Sequence, residues 1–158
     1  MKIGVFVQSS CGGAERMSVR FSKILSKQNE LTIHSVGKED LLESFVGDVK
    51  SVFHRGDSAI TGFIGKARKI IKQEKPDLIF CSLMPLNWRL ALASIGAGCK
   101  IIFRSDNYID TQSFTSKVRL YFAYKIGVCH IVKRRNQHTY NGGNSHSYYK
   151  RFYFSCGH

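Results

Sequence analysis

A turn of small residues, spanning Ser9 to Arg16, is the strongest candidate for chemistry in this sequence. It follows an apolar run at residues 2–8 and precedes a segment with helical periodicity. Its adjacent glycines, Gly12 and Gly13, permit a tight turn and let a ligand approach the backbone without meeting a Cβ atom. The N-terminus of the next helix would present unpaired N–H groups and the positive end of the helix dipole, which favours phosphate. The alternative interpretation is that a strand-to-helix turn needs glycine for its geometry alone.

The common nucleotide-binding motifs do not match this turn. It lacks the Gly-Lys-Ser/Thr ending of a P-loop, and it lacks the three-glycine fingerprint of dinucleotide-binding folds. ATP and NAD are therefore weak candidates for the ligand.

Strands and helices are predicted to alternate around this turn. Short apolar runs predict strands, and apolar residues spaced by three or four predict helices. The predicted strands lie at 2–8, 31–36, 50–54, 77–82 and 100–104, and the predicted helices at 14–28, 39–46, 61–74, 86–96 and 113–126. In the first helix one face carries Ala14, Met17, Phe21, Ile24 and Leu25. The pattern predicts an α/β fold with a Rossmann-like parallel sheet and helices on both faces. Ligands of such sheets bind beyond the carboxyl ends of the strands, which selects the loops after residues 8, 82 and 104.

Composition restricts the class of protein. The chain has 158 residues, of which 43% are hydrophobic, enough for a core and too many for a disordered chain. Neither a transmembrane segment nor a signal peptide is recognisable. The five cysteines are odd in number and widely spaced, which suits reduced thiols and a cytoplasmic location.

Basic charge is concentrated in the last third of the chain. Residues 1–110 hold 16 lysines and arginines and all 11 acidic residues, whereas residues 111–158 hold eight basic residues and no acid. The chain therefore changes character after Asp110, and we predict that residues 127–158 form an irregular basic tail that is non-native or disordered.

The first 126 residues resemble the N-terminal domain of GT-B glycosyltransferases of family 4. The resemblance is carried by Lys2-Ile3, by the Gly-Gly-Ala-Glu-Arg turn at 12–16, by Lys-Pro-Asp-Leu-Ile at 75–79, by Asn87 and by Ile-Ile-Phe-Arg-Ser-Asp-Asn at 101–107. It implies a transferase that moves a sugar from a nucleotide-sugar donor to a glycan or lipid-linked acceptor in surface polysaccharide synthesis. It also implies that the donor is a substrate and that no cofactor or metal is needed.

The resemblance assigns residues to the two substrates. The donor's sugar-phosphate end would face Gly12, Gly13, Glu15 and Arg16, where backbone N–H donors stabilise the charge of the leaving diphosphate. Arg16 is alternatively a solvated residue of the first helical turn. The acceptor would lie near Asn87, Arg104 and Asn107, with Asp106 as a catalytic base or as the group that orients the acceptor hydroxyl. The alternatives are an Asx turn at 106–107 and a helix-capping role for Asn87.

A second α/β domain is part of the GT-B architecture, and family members carry a Glu-x7-Glu pair there. No glutamate follows Glu74, so we expect this chain to be inactive alone. Where residue 127 stands, the family has a short strand and then a helix with Glu-Glu. Because nucleotides read one position later can encode such a segment, we hypothesise a frameshift near residues 125–128.

Other functions remain open for the basic residues. The tail resembles a nucleic-acid-binding arm in its mixture of cations and aromatic rings, although we expect no nucleic-acid partner. Its cysteines and histidines match no zinc spacing, and the chain is alternatively an inert truncation product. A further expectation is peripheral contact with the inner membrane face, in which Lys66, Arg68, Lys69 and Lys72 meet anionic headgroups or else form a solvated helix face.

Overall fold

A seven-stranded sheet with helices on both faces forms the protein. The computed structural model describes residues 1–10, 12–56, 60–82, 84–105, 118, 129–134 and 151–156. The strands are β1 (Lys2–Gln8), β2 (Glu30–Gly37), β3 (Ser51–Arg55), β4 (Leu78–Cys81), β5 (Lys100–Ser105), β6 (Cys129–Arg134) and β7 (Arg151–Cys156). The helices are α1 (Gly13–Leu25), α2 (Glu43–Val46), α3 (Ile60–Glu74) and α4 (Met84–Ala93). None of these helices has the length and apolar content that crossing a bilayer requires.

The strand order is β3-β2-β1-β4-β5-β6-β7, with β1 to β6 parallel and β7 antiparallel to β6. Parallel strands joined through helices are the Rossmann-like arrangement that the sequence predicts, and that fold class is confirmed. Nine of the ten predicted elements occur within the described residues, and most of the tenth, the helix at 113–126, lies outside them.

Two hydrophobic clusters cover the two faces of the sheet. Because strand residues alternate between faces, Val5 packs with Val19 of α1 on one face, whereas Phe6 packs with Phe63 of α3 on the other. Alternate residues of β2 and β4 divide between the same two clusters. The helices α1 and α2 thus cover one face, and α3 and α4 cover the other.

The buried face of α1 is not its apolar face. The helix buries Glu15, Ser18, Val19 and Ser22, whereas Met17 and Ile24 are 44% and 66% exposed. Short serine side chains let the helix approach the sheet closely. Their hydroxyls donate to the carbonyls four residues earlier, 2.9 Å for Ser18 and 2.8 Å for Ser22, so both buried polar groups are satisfied within the helix.

Strands occur within the region predicted to be irregular. The strand β6 (Cys129–Arg134) pairs in parallel with β5, and β7 (Arg151–Cys156) pairs antiparallel with β6. Both segments contain β-branched or aromatic residues, which suit a pleated strand. The boundary at 126 stays a prediction, and the rest of the tail lies outside the described residues.

Candidate functional site

The candidate site lies at the carboxyl edge of the sheet, between β1 and β4. From β1 the chain continues outward to β2 and β3, then crosses back to β4 on the other side of β1. The loops after β1 and β4 therefore diverge and leave a crevice at this switch in strand order, where ligands of open α/β sheets bind. The turn containing Gly12 and Gly13 follows β1, and Ser82 follows β4.

Gly13 opens the mouth of α1 to a ligand. It is the first residue of the helix, and a Cβ atom built there meets no atom of the described residues within 4 Å beyond its chain neighbours and its own helix backbone. Gly12 precedes it, with a carbonyl that accepts from the Arg16 amide at 3.1 Å. The first amides of α1 lack earlier helical partners, as in any helix, and they lie beside this open space.

Glu15 closes over the other glycine. Its carboxylate accepts a hydrogen bond from the Ser10 hydroxyl at 2.7 Å, and the side chain is only 5% exposed. A Cβ atom on Gly12 would collide with Oε2 of Glu15. A side chain at Gly12 would thus require the Glu15 carboxylate to shift, while Gly13 faces open space. A carboxylate in the first turn already uses part of the positive end of the helix dipole, so it competes with any phosphate that binds there.

A pair of serines joins α1 to the end of β4. The hydroxyl oxygens of Ser18 and Ser82 lie 2.6 Å apart, and both residues are buried. Because the single hydroxyl proton of Ser18 is donated to the Ala14 carbonyl, Ser82 is the donor to Ser18. This hydrogen bond fixes the two sides of the crevice relative to each other.

Asn87 lies inside α4, three residues after the helix begins, so it does not occupy the capping position. It is 6% exposed, and its Oδ1 has no hydrogen-bond partner among the described residues. A buried amide oxygen in this state is uncommon in folded proteins. Arg89, two residues later in the same helix, is also buried, and its guanidinium carbon lies 5.4 Å from the centre of the Trp88 ring.

The remaining predicted site residues are dispersed or undescribed. Arg16 is exposed, and its guanidinium lies 4.8 Å from the centre of the Phe45 ring. Arg104 lies in β5, one residue before the strand ends, and is half-buried. Asp106 and Asn107 lie outside the described residues. The structure thus brings Gly12, Gly13 and Glu15 together and does not test the proposed acceptor loop.

A buried polar network outside the crevice was missed by the sequence interpretation. His34 of β2 is fully buried, with Nδ1 3.1 Å from Nε2 of His54 and Nε2 3.1 Å from a carboxylate oxygen of Glu74. Because a carboxylate only accepts, His34 donates from Nε2 and His54 donates from Nε2 to Nδ1 of His34. The strand pattern places His34 on the face of α3, but no sequence signal links it to Glu74.

Burial determines the charge of this network. Desolvation lowers the pKa of His34 from 6.5, and the Glu74 carboxylate opposes that shift. The pKa of His54 is lowered to about 4, first by burial and then by the charges of His34 and Lys66. Both imidazoles are therefore neutral near pH 7. Among the described residues no cluster of three metal-ligating side chains is found.

Comparisons with known proteins give solved structures of similar fold. No family model matches the chain, and no curated protein sequence matches it. S. aureus MnaA, in a structure with UDP, is 15% identical with a TM-score of 0.64 over 84% of this chain and 38% of its own. Anabaena HepE in complex with UDP is 18% identical with a TM-score of 0.63 over 82% and 37%. Acinetobacter baumannii MurG is 14% identical with a TM-score of 0.62 over 89% and 44%.

These similarities show the fold. The chain has a Rossmann-like α/β fold, consistent with the N-terminal half of a GT-B fold. It spans less than half the length of each of these three structures.

Proposed function

We propose that this chain is the acceptor-side half of a GT-B glycosyltransferase. Its reaction is transfer of a sugar from a nucleotide-sugar donor to a glycan or lipid-linked acceptor. The observation that carries the proposal is the open helix mouth at Gly13, located at the switch in strand order. The complexes of MnaA and HepE with UDP, two structures of similar fold, give further support.

Backbone amides are the donor-binding groups in this proposal. The N–H groups at Gly13 and beyond meet the diphosphate, because the ligand can reach them without meeting a side chain. Glu15 and Ser10 hold the turn in shape, and the negative charge of Glu15 weakens the attraction of the helix dipole for phosphate. No cofactor or metal takes part.

Side chains from α4 and the loop after β5 serve the acceptor. The unpartnered amide oxygen of Asn87 accepts from a sugar hydroxyl, and Arg104 and Asn107 position the acceptor. Asp106 orients or deprotonates the attacking hydroxyl. Completion of the active site requires a second α/β domain, in keeping with the part of the similar structures that this chain does not span.

A blocked helix mouth tests the proposal. Gly13→Leu places a side chain in open space, so the fold tolerates it while the ligand's path is closed. Calorimetric titration with UDP-glucose and UDP should show binding at least about tenfold weaker than wild type, since a hydrogen bond to a charged group is worth ~1.5 kcal/mol or more.

The matched control is Gly65→Leu on α3, another exposed glycine whose added Cβ meets no atom within 4 Å in the part of the chain that the structure describes, its own helix backbone apart. It should leave the dissociation constant unchanged and stabilise α3 slightly. The proposal fails if wild-type protein binds neither ligand, or if the two leucine variants bind them equally well.

A further inference from the structure

The outward side of α1 combines positive charge with large apolar side chains. After Gly13, its exposed residues are Arg16, Met17, Arg20, Phe21, Lys23 and Ile24, which we call the basic stripe. The single acid of the helix, Glu15, is buried at the turn. The exposed charge of this helix is therefore entirely positive.

The segment that includes α2 has the opposite charge. Residues 39–48, which we call the acidic stripe, hold no basic residue and four acids, Glu39, Asp40, Glu43 and Asp48. All of these acids except Asp40 are exposed, and so are Leu41 and Phe45. The flanking cations Lys38 and Lys50 lie outside this segment. The acidic stripe is therefore negatively charged and, like the basic stripe, partly apolar.

The two stripes lie side by side on one face of the sheet. The guanidinium of Arg16 lies 4.8 Å from the centre of the Phe45 ring, and Nζ of Lys23 lies 3.3 Å from the position of a Cβ atom built on Gly47. Both stripes therefore run in the same direction along the sheet. Within the described part of the chain, no ion pair joins the cations of the basic stripe to the acids of the acidic stripe. The combined surface thus presents two opposite, unneutralised charges together with exposed apolar side chains, which is typical of an interaction site.

This surface is complementary to a copy of itself. In a twofold-symmetric dimer both copies use the same surface, so each contact between two different residues occurs twice. A twofold axis parallel to α1, running between the stripes, sets the basic stripe of each copy against the acidic stripe of the other. An axis across α1 would instead set like charges against each other, which is unfavourable. We propose that the chain forms a dimer through the two stripes, with the twofold axis parallel to α1. This goes beyond the proposed glycosyl transfer and does not depend on it.

A partner that carries one sign of charge fits this surface less well. An anionic partner attracts the basic stripe and is repelled by the acidic stripe. A cationic segment such as residues 127–158, which hold no acid, has the opposite disadvantage. A second copy of the chain neutralises both stripes at once and covers their apolar side chains.

Sedimentation equilibrium without nucleotide, over a range of protein concentrations, tests this proposal. Wild-type protein should have twice the mass of one chain and dissociate on dilution. Reversal of the basic stripe in Arg20→Glu/Lys23→Glu, or of the acidic stripe in Glu43→Lys/Asp48→Lys, should raise the dissociation constant at least about 100-fold, because like charges then face each other in both halves of the interface. The variant that carries all four substitutions should return to within about tenfold of wild type, because the stripes are complementary again.

The matched control reverses the same charge on the other face of the sheet. Lys69→Glu/Lys72→Glu has the same spacing and also reaches the last helical turn, but it lies on α3. It should leave the dissociation constant within about threefold of wild type, since salt screens charges far from the interface. Met17→Ser/Ile24→Ser should raise the constant at least about tenfold, because apolar burial is lost in both copies. Circular dichroism checks that each variant is folded.

Several results would overturn the dimer. Wild-type protein that stays monomeric at every concentration overturns it, including protein that binds anionic vesicles instead. A dimer that neither stripe reversal dissociates, or that the α3 control dissociates equally well, also overturns it. A folded fourfold variant that stays monomeric overturns the pairing of basic with acidic stripe. Where one reversal prevents folding, the other reversal decides by the same criterion.

Discussion

The helices α1 and α3 have similar patterns of basic and apolar residues, but they turn their apolar residues in opposite directions relative to the sheet. Both are basic, and both carry apolar residues at helical spacing. On α3 the apolar residues Phe63, Ala67 and Ile71 face the sheet, whereas α1 turns Met17 and Ile24 outward and packs through serines. The periodicity of apolar residues therefore locates a helix without telling which of its faces is buried.

Position in the fold explains the difference. The N-terminus of α1 lies at the switch in strand order, where its turn must stay accessible and its body is tied to β4 through Ser18 and Ser82. By contrast, the C-terminus of α3 is tied to β2 by Glu74 and His34. One helix supports a candidate site, and the other mainly supports the core.

The largest effect expected from this comparison is on stability. Ile71→Ala should lower the free energy of unfolding by about 2–5 kcal/mol, because Ile71 is buried against the sheet. Ile24→Ala should change the free energy of unfolding of the monomer by less than about 0.5 kcal/mol once the difference in helix propensity is subtracted, since the Ile24 side chain is mostly exposed. Urea denaturation measures both, and equal losses would contradict the assigned orientation of α1.

The serine contact of α1 should produce the next largest effect. Ser18→Ala removes the acceptor of the buried Ser82 hydroxyl and should destabilise the protein by about 1–3 kcal/mol. Adding Ser82→Ala should cost much less than the first change, because the unpaired hydroxyl is then gone. Ser26→Ala is the control, because the hydroxyl of this half-buried serine makes a solvent-exposed hydrogen bond, and the loss should be within about 0.5 kcal/mol. Simple additivity of the two buried substitutions would argue against the pairing.

The anchor of α3 should make stability depend on pH. His54 has an ordinary pKa of 6.5 and a folded-state pKa of about 4, so the unfolded state takes up the proton first. The contribution of neutral His54 to the free energy of unfolding should be fully present above pH 6.5 and should be lost as the pH falls toward 4. The groups that act on the two imidazoles are Glu74, Lys50 and Lys66.

His54→Gln should reduce the slope of stability against pH in this interval. Thermal unfolding at half-unit steps of pH measures the slope in the variant and in wild type. Identical slopes would show that the network does not control acid sensitivity.

The smallest effect concerns the turn of α1. If Glu15 competes with phosphate at the helix dipole, Glu15→Gln should tighten UDP binding about twofold to fivefold. Glu43→Gln, in the first turn of the short helix α2, is the control and should leave UDP affinity unchanged. Weaker UDP binding by Glu15→Gln would indicate instead that the carboxylate contacts the ligand directly.

The sequence predicts the fold far better than it predicts the site. Local signals suffice for most elements: α3 ends at Glu74, just before Pro76, and Gly96 and Gly98 adopt positive φ angles after α4. The turn at Gly12 and Gly13 is recognisable for the same reason. The burial of Glu15 and the outward face of α1 depend on how the helix sits on the sheet, which neighbours distant in sequence determine. The link of His34 to Glu74 joins residues 40 apart and leaves no local pattern.

The most direct test of the central claim is a titration of ¹⁵N-labelled full chain with UDP-glucose, followed through backbone amide shifts. If the mouth of α1 binds the nucleotide sugar, the largest shifts will fall at Ser10, Gly12, Gly13 and Ser82, with little change along α3. Shifts that concentrate instead on α3 or on residues 129–134 would contradict the account.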